Sequence, residues 1–552
     1  MQKILTILLS IICFNNYIFS QKTQDKQITT IPAKPKLIVG IIVDQMRYDY
    51  LYKYENKFGA NGFKKLMQQG FNCKNNHYNY VPTYTGPGHA SVYTGTTPAI
   101  HGIIANDWYV RETDKMMYCA QDDKVETVGS STKKVGKMSP RNMLTTTITD
   151  ELKMATNMKS KTIGIALKDR GAILPAGHMA NAAYWFDGAT GNWVSSTFYM
   201  ETLPTWVDSF NAKKVYENYL SKPWEPLLPI HQYTESLADD NAYEGRLKGE
   251  ERPVFPHDLP KLYKEEGAGV IRYTPFGNSF TKDFAVTTIK SEQLGKREVT
   301  DFLTVSFSSP DYIGHNWGPH SIEIQDNYLR LDRDLADFIS FLETWVGKEN
   351  LLIFLTADHG GANVPQYLID HNAPAGIFKS EALVDTAMKY MKALYGNERW
   401  ILNYENEQFF LNRKLILDKR MNLREMQDKL AEFCLHYKGV SAVYTAHALS
   451  NTSFHNLPGE LVQMGFHQKR SGDVALVLEP GWMEYSSTGT THGTVYNYDT
   501  HVPLLWYGWK INHGETFQKT YITDIAPTIS ALLNIPFPNG CIGKPLVDLI
   551  CK

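Results

Sequence analysis

The chain has 552 residues, of which 43% are hydrophobic and 21% charged, and this ordinary globular composition excludes a disordered or fibrous protein. Its formal net charge at pH 7 is −2, so no strong overall field attracts nucleic acid or an anionic membrane. An anionic substrate would have to be held by local positive groups or by metal ions.

The first twenty residues have the layout of a secretory signal peptide. "MQK" is a short basic region, "ILTILLSIICF" is an apolar run and "NNYIFSQKTQ" turns polar, with cleavage expected after Ser20. The apolar run is too short to serve as a membrane anchor, and no later segment reaches ~18 unbroken apolar residues. We therefore expect a periplasmic or secreted protein, with a linker at 21–35 and no membrane span after removal of the signal.

The cysteines limit the kind of metal site that the chain can form. Removal of Cys13 with the signal leaves five, and Cys73–Cys119 and Cys541–Cys551 are possible disulfides, with Cys434 left over. The sequence does not fix this connectivity. Because no CxxC pattern occurs, a bound metal would take histidine and carboxylate ligands.

From residue 36 onward, predicted strands alternate with predicted helices. "KLIVGIIVDQM" (36–46) is a continuous apolar run, typical of a strand buried on both faces of a parallel sheet. A helix over "GANGFKKLMQQG" ends near Gly70. The alternation continues with a helix at 139–157, strands over "SKTIGIALKDR" and "TDFLTVSFSSPD", a long amphipathic helix over "SIEIQDNYLRLDRDLADFISFLETW" and a strand over "ENLLIFLTADHG". This pattern predicts an α/β fold with a doubly wound, mostly parallel central sheet flanked by helices.

Two long segments interrupt the alternation. Residues 172–295 contain a hairpin-like "AYWFDGATGNWVSS", and residues 361–490 mix amphipathic helices with "SGDVALVLEPGW". No clear linker isolates either segment. We interpret them as insertions that add a cap or side lobe to a single catalytic domain over 36–552.

Chemically active side chains follow the predicted strands or lie in glycine-rich loops. They are Asp44, Asp311, His315, Asp358, His359 and His492. Each alone could be a helix cap, a turn residue or a surface histidine. Since functional residues gather at the carboxyl ends of strands in open α/β sheets, we expect the set to lie together. Carboxylates and imidazoles are what zinc binds when cysteine is absent, and two metals ~4 Å apart clamp the attacking and leaving oxygens of an in-line displacement.

A nucleophile for such a displacement could come from "VPTYTGPGHASVYTG" (81–95). This stretch offers the hydroxyls of Thr83, Thr85, Ser91 and Thr94 at the start of a helix. The local sequence favours none of them.

The ordered motifs "VDQMRYDYL", "TYTGPGHASVYTG", "HGIIANDWY", "DYIGHNWGP", "TADHGG" and "THGT" resemble the alkaline phosphatase superfamily. "ALKDR" narrows the resemblance to the phosphate-irrepressible, Thr-nucleophile bacterial alkaline phosphatases of the PafA type, and the resemblance covers nearly all of 36–550. It implies a phosphate monoester hydrolase with two Zn²⁺ per chain and a covalent phosphothreonine intermediate. We expect small-molecule phosphate monoesters as substrates, no nucleic acid partner and a monomeric chain.

The resemblance also implies a role for each residue. One zinc would be bound by Asp44, Thr85, Asp358 and His359, and the other by Asp311, His315 and His492. Thr85 would be the nucleophile, with its pKa lowered by contact with a metal. Asn106, Lys168 and Arg170 would bind the phosphoryl oxygens and act in catalysis, and an arginine fork suits two oxygens. If the metal-binding motifs were absent, the charged run "KDR" (168–170) would be interpreted as a solvated charge cluster after a strand.

Some features depart from better-known relatives. The Ser-type alkaline phosphatases have an arginine directly after the nucleophile, where this chain has Gly86, so Lys168 and Arg170 would have to supply that charge. No third metal motif is evident, which makes an auxiliary magnesium doubtful, and Lys168 would fill its electrostatic role. His89 lies four residues after Thr85 but is expected to be structural, because a metal-bound hydroxyl needs no base.

Three other functions compete with a monoesterase. A phosphodiesterase or nucleotide pyrophosphatase shares the threonine and the two-metal core, but its diester carries less charge and needs the cations of Lys168 and Arg170 less. A sulfatase would need a CxPxR-type motif, and "TGPGH" lacks both the cysteine and the arginine. An exported binding protein without catalysis would have lost a ligand, whereas all seven expected ligand positions are filled.

Overall fold

The computed structural model describes residues 34–550. The expected signal peptide and nearly all of the expected linker lie outside the described residues, as does Cys551. From Pro35 onward the chain forms a single compact unit. No helix in the described range is both long and apolar enough to cross a membrane.

A ten-stranded sheet forms the centre of the fold. Its strands are, in spatial order, Gly514–Thr516, Phe71–Cys73, Leu504–Gly508, Leu351–Thr356, Leu37–Val43, Asp301–Phe307, Thr162–Ala166, Ala182–Asp187, Asn192–Ser196 and Thr127–Val128. The five strands from Leu351–Thr356 to Ala182–Asp187 are mutually parallel. Every residue of Leu37–Val43 is buried, as expected for a strand covered on both faces. The predicted mostly parallel α/β sheet is confirmed.

Helices flank this sheet, and the longest is Ile322–Val346. The other helices of eight or more residues in the described range are Thr85–Thr94, Ile148–Ala155, Asp169–Ala176, Thr205–Ala212, Leu259–Glu266, Phe276–Glu292, Ser309–Trp317 and Ile525–Leu533, together with Ser380–Tyr395 and Leu423–Leu435, which pack on a second sheet. The helix predicted at 139–157 is wrong in its first half, where only a 3₁₀ turn forms at Pro140–Asn142. The α-helix begins at Ile148 because Thr147 and Asp150 form a capping box that satisfies the first free N–H groups.

A second, antiparallel sheet lies within the segment expected to be an insertion at 361–490. It contains Ile401–Glu405, Gln408–Leu411, Val474–Leu478 and Val440–Thr445. With the helices Ser380–Tyr395 and Leu423–Leu435 it encloses its own hydrophobic cluster, separate from the main core. The hairpin predicted within 172–295 is also present, but it continues the central sheet as strands Ala182–Asp187 and Asn192–Ser196.

The cysteines of the described range are all free thiols. Cys73, Cys119 and Cys434 are buried and Cys541 is partly buried. The possible pairing of Cys73 with Cys119 is therefore not formed.

Four neighbouring parallel strands position the site. Leu37–Val43 leads directly to Asp44, Thr162–Ala166 to Lys168, Asp301–Phe307 to the helix that carries Asp311, and Leu351–Thr356 to Asp358. Because parallel strands end at the same sheet edge, residues far apart in sequence meet there.

Candidate active site

Thr85 is the first residue of a ten-residue helix, Thr85–Thr94, and only 1% of its surface is exposed. Tyr84 before it is extended, so the chain turns sharply at the threonine. Gly88 lets this helix approach the sheet edge, since a Cβ there would lie 2.3 Å from the carbonyl oxygen of Asp358. Gly88 therefore brings the first turn of this helix close to Asp358 at the end of its strand.

The predicted Asp and His residues lie together in two overlapping groups. Ligand atoms of Asp44, Asp358 and His359 lie within 4.8 Å of one another, as do those of Asp311, His359 and His492. His315 completes the set, with Nε2 3.1 Å from Asp311 Oδ1. Each group could hold a metal ion.

The three histidines are held in one tautomer by the backbone. The Nδ1 atoms of His315, His359 and His492 donate to the carbonyl oxygens of Thr490 (2.8 Å), Gly360 (2.9 Å) and Thr83 (2.7 Å). Each Nε2 is thereby left facing the carboxylates, where a metal would bind. Imidazole ligands of metals have this kind of second hydrogen bond.

Several buried atoms of the two groups have no hydrogen-bond partner among residues 34–550. They are Asp44 Oδ1, Asp358 Oδ2 and His359 Nε2. Buried polar atoms without partners are costly, and carboxylates especially so. All three atoms are acceptors or lone pairs of the type that zinc binds, so these residues fit divalent metals with nitrogen and oxygen ligands.

The pKa shifts of the carboxyls reflect the same need for positive charge. Burial raises the pKa of Asp44 to about 6, with Lys168 opposing the shift and Asp311 adding to it. Burial and then the charge of Asp44 raise the pKa of Asp358 well above its usual range. Burial acts in the same direction on Asp311, but His315 and Lys168 outweigh it and hold its pKa well below the usual range.

Lys168 joins the two groups. Its Nζ lies 2.7 Å from Asp44 Oδ2 and 2.5 Å from Asp311 Oδ2, and 3.5 Å from Thr85 Oγ1. Burial would lower the pKa of this lysine, but Asp311 and Asp44 outweigh burial and hold the pKa above its usual value. Lys168 is therefore a buried cation beside the hydroxyl of Thr85.

Asn106 and Arg170, the other two expected phosphate-binding residues, are each held by a hydrogen bond. Asn106 Oδ1 accepts a hydrogen bond of 2.7 Å from the N–H of Gly86, which directs its amide nitrogen away from the backbone. Arg170 Nη1 donates to the hydroxyl of Tyr118 at 3.1 Å, and that hydroxyl donates in turn to Asp169. Tyr118 was not predicted from the sequence, where no motif connects it with "KDR".

A second residue missed by the sequence analysis is Gln45. It adopts φ = 57°, in the left-handed region, and is buried next to Asp44. Its N–H donates to Asp358 Oδ1 at 3.1 Å and its side chain to Asp311 Oδ1 at 2.8 Å. Its position directly after Asp44 was the one available signal.

His89 has contacts that suit the structural role expected for it. Its Nδ1 donates to the carbonyl oxygen of Thr85 at 2.8 Å, and its Nε2 pairs with Ser306 Oγ at 2.8 Å. Burial lowers the pKa of His89 to about 3, so the ring is neutral. It contacts the backbone of the nucleophile.

Comparison with known proteins agrees with this geometry. The family described as type I phosphodiesterase / nucleotide pyrophosphatase matches residues 38–503. The alkaline phosphatase PafA of Elizabethkingia meningoseptica is 44% identical over 545 residues, which cover 98% of each chain. The chain belongs to the PafA-type alkaline phosphatases.

Other relatives extend the comparison. A Myroides odoratus protein named a calcium-transporting ATPase is 47% identical over 521 residues, covering 94% of this chain and 95% of its own. The crystal structure of wild-type PafA has a TM-score of 0.91 at 44% identity and covers 94% of this chain and 99% of its own, which confirms the alkaline phosphatase fold. A solved PafA mutant, with a TM-score of 0.90 at 43% identity and the same coverage, has a Thr, an Asn, a Lys and an Arg replaced.

Proposed function

We propose that this alkaline phosphatase hydrolyses small phosphate monoesters with two zinc ions and a covalent phosphothreonine formed at Thr85. The observation that carries the proposal is the position of the Thr85 hydroxyl, at a helix N-terminus and beside a lysine that contacts one carboxylate of each ligand group. Asp44, Thr85, Asp358 and His359 would hold one ion, and Asp311, His315 and His492 the other. Bound zinc would supply Lewis acidity to the attacking and leaving oxygens.

In the first step, Thr85 Oγ1 releases its proton and forms a bond to phosphorus while the bond from phosphorus to the ester oxygen breaks, and the departing ester oxygen takes up a proton from solvent. Lys168 Nζ, 3.5 Å from Oγ1, favours the deprotonated hydroxyl by its charge. The N–H groups at the start of the Thr85–Thr94 helix favour the phosphoryl anion. In the second step, the oxygen of water forms a bond to phosphorus while the bond from phosphorus to Thr85 Oγ1 breaks. Phosphate leaves, and a proton released by the water restores the Thr85 hydroxyl.

Asn106 and Arg170 would bind the phosphoryl oxygens that do not react. The amide of Asn106 is fixed by Gly86, and the guanidinium of Arg170 is fixed by Tyr118. Groups held in place before the substrate arrives stabilise developing charge without reorganisation. The four residues replaced in the PafA mutant have the same types and the same spacings along the chain as Thr85, Asn106, Lys168 and Arg170, which supports these roles.

The two cations favour a monoester over a diester. A monoester phosphoryl group carries two negative charges at alkaline pH and a diester carries one. Lys168 and Arg170 supply two positive charges at the site in addition to any metal ions. A phosphodiesterase or nucleotide pyrophosphatase is the alternative, and the description of the matching family names that activity.

The further parts of the proposal concern the whole chain. We propose export to the periplasm or the cell exterior, a monomeric enzyme, and a single catalytic domain over 36–552 with insertions around 172–295 and 361–490. A size measurement combined with the N-terminal sequence of the mature protein would test these points.

The catalytic proposal is tested by comparing an aryl phosphate with a bis-aryl phosphate on enzyme of measured zinc content. We expect about two zinc ions per chain, a higher kcat/KM for the monoester, and loss of the phosphorylated intermediate in Thr85→Ala. A preference for the diester would replace the monoesterase by the phosphodiesterase, and full activity of Thr85→Ala would reject Thr85 as the nucleophile.

A further inference from the structure

A side cavity of about 100 Å³ lies between the second sheet and the loops of the active site. Its lining includes Tyr84, the residue before Thr85, and His492, one of the proposed metal ligands. The rings of Tyr84 and His492 meet edge to face, with their centroids 5.5 Å apart. The side cavity therefore borders both the nucleophile segment and one of the two ligand groups.

The lining of the side cavity is mostly apolar and carries negative charge. Leu449, Phe466 and Leu478 are among its apolar residues, and the two carboxylates of Glu407 and Glu484 also line it. No lysine or arginine of residues 34–550 does so. Small-molecule sites combine an apolar lining with a few polar groups that fix the orientation of the ligand. This lining suits a carbon chain that carries a positive charge.

Glu407 is held in place at the tip of a hairpin. Asn406 and Glu407 form a two-residue turn between neighbouring strands of the second sheet, with φ = 52° and 55°. Asn406 Nδ2 donates to the carbonyl oxygen of Asp107 at 2.8 Å, which fastens the tip to the main domain. The hydroxyl of Tyr84 lies 3.4 Å from Glu407 Oε2. The carboxylate is therefore positioned before any ligand arrives.

The side cavity opens toward one of the ligand groups. Glu484 is exposed to solvent, whereas Glu407 is half-buried, so the opening lies at Glu484. The next residue, Tyr485, donates from its hydroxyl to the carbonyl oxygen of His315 at 3.1 Å. The opening and the lining thus contact His315 and His492, both members of the ligand group that does not include Thr85.

We propose, on the basis of the monoesterase function above, that the side cavity binds the alcohol part of the substrate and that Glu407 selects alcohols carrying an ammonium group. In an in-line displacement the ester oxygen departs on the side away from the nucleophile, where His315 and His492 lie. An alkyl chain attached to that oxygen would pack on the apolar lining. Its terminal ammonium would pair with Glu407, and charge-assisted hydrogen bonds of this kind are among the strongest.

The test compares short ω-aminoalkyl phosphates with alkyl phosphates of equal chain length on zinc-loaded enzyme, at a pH above 8, where Glu407 is ionised. We expect Glu407→Gln to lower the ratio of aminoalkyl to alkyl kcat/KM roughly tenfold at the chain length that reaches the carboxylate. The substitution leaves the intrinsic reactivity of each ester unchanged, so the ratio reports the contact with the ammonium. Glu405→Gln is the matched control, because it removes the same charge from the same hairpin at a residue outside the cavity lining, and it should keep the ratio.

Inhibition by the free alcohols gives a readout that does not depend on ester reactivity. Amino alcohols should inhibit aryl phosphate hydrolysis by the wild type more strongly than alkyl alcohols of equal length, and Glu407→Gln should remove that difference.

An unchanged ratio in Glu407→Gln at every chain length would overturn the inference, and so would equal falls in Glu407→Gln and Glu405→Gln. In either case, wild-type turnover of the aryl phosphate would leave the monoesterase proposal standing. A wild type that hydrolyses no monoester would overturn both.

Discussion

The side chain of Gln45 donates a hydrogen bond of 2.8 Å to Asp311, across 266 residues of sequence. Its backbone N–H binds Asp358 at the same time, so one residue contacts a carboxylate of each proposed zinc site. Two glycines make room for it, since a Cβ on Gly314 would lie 1.9 Å from Gln45 Oε1 and one on Gly361 would lie 3.2 Å from Gln45 Cγ. Gln45 therefore helps to set the distance between the two sites.

The first prediction is that Gln45→Ala weakens zinc binding. Residues that orient metal ligands change affinity by about 10- to 100-fold when they are removed. We expect a loss of that size in a zinc titration, with kcat/KM restored in part by excess zinc. Gln427→Ala is the control, because Gln427 is also buried and also donates to an aspartate, but its partner Asp473 lies just before a strand of the second sheet, away from the proposed metal sites. Equal losses in both variants would assign the effect to general destabilisation.

The second prediction concerns Tyr118, which holds Arg170. Tyr118→Phe removes a hydrogen bond to the guanidinium, worth about 1–1.5 kcal/mol, and should lower monoester kcat/KM roughly 5- to 10-fold. The diester should be affected less, since it carries less charge for Arg170 to bind. The control is Tyr109→Phe, which changes a neighbouring tyrosine of the same hairpin whose hydroxyl donates to Asp114. This variant should leave the ratio of monoester kcat/KM to diester kcat/KM unchanged. If Tyr118→Phe kept the wild-type ratio of monoester to diester kcat/KM, the hydrogen bond between Tyr118 and Arg170 would not be what positions Arg170.

Much of the sheet and of the proposed ligand set could be predicted from sequence because both have local signals. Continuous apolar runs identified four of the parallel strands, and three of these are followed by Asp44, Asp311 or Asp358 at the sheet edge. Gln45 and Tyr118 had no such signal, since their partners are distant in sequence. The carbonyl groups that orient the three histidines could not be predicted because any residue type provides a carbonyl. The late start of the helix at Ile148 depended on a capping box that the pattern of apolar residues does not reveal.

The third prediction is a loss of stability at alkaline pH caused by His257. Burial would lower the pKa of His257, but its hydrogen bonds to Glu250 and Glu323 outweigh burial and raise the pKa from 6.5 to about 9. Because the folded-state pKa is the higher one, the stabilisation is complete below pH 6.5 and is lost as pH rises through about 9. A shift of this size corresponds to about 3 kcal/mol.

Urea unfolding between pH 6 and pH 10 would measure this effect. The free energy of unfolding of the wild type should fall across that window, whereas His257→Gln should be less stable at pH 6 and nearly flat above it. A wild-type profile as flat as that of His257→Gln would contradict a raised pKa at His257. A constant zinc concentration keeps metal linkage out of the comparison.

The fourth prediction tests the approach of the nucleophile helix to the sheet edge. In Gly88→Ala the new Cβ would lie 2.3 Å from Asp358 O, a backbone atom that cannot move aside easily. The helix must shift, and it carries Thr85 with it. Misplacement of a reacting group by about 1 Å costs on the order of 100-fold in rate. We therefore expect kcat to fall by that order, while the free energy of unfolding falls by about 1–3 kcal/mol.

Gly59→Ala is the control, since its Cβ would meet Asp332 Oδ2 at an ordinary 3.4 Å. If Gly88→Ala kept its kcat while losing stability, the close packing of this helix would serve the fold and not the position of Thr85.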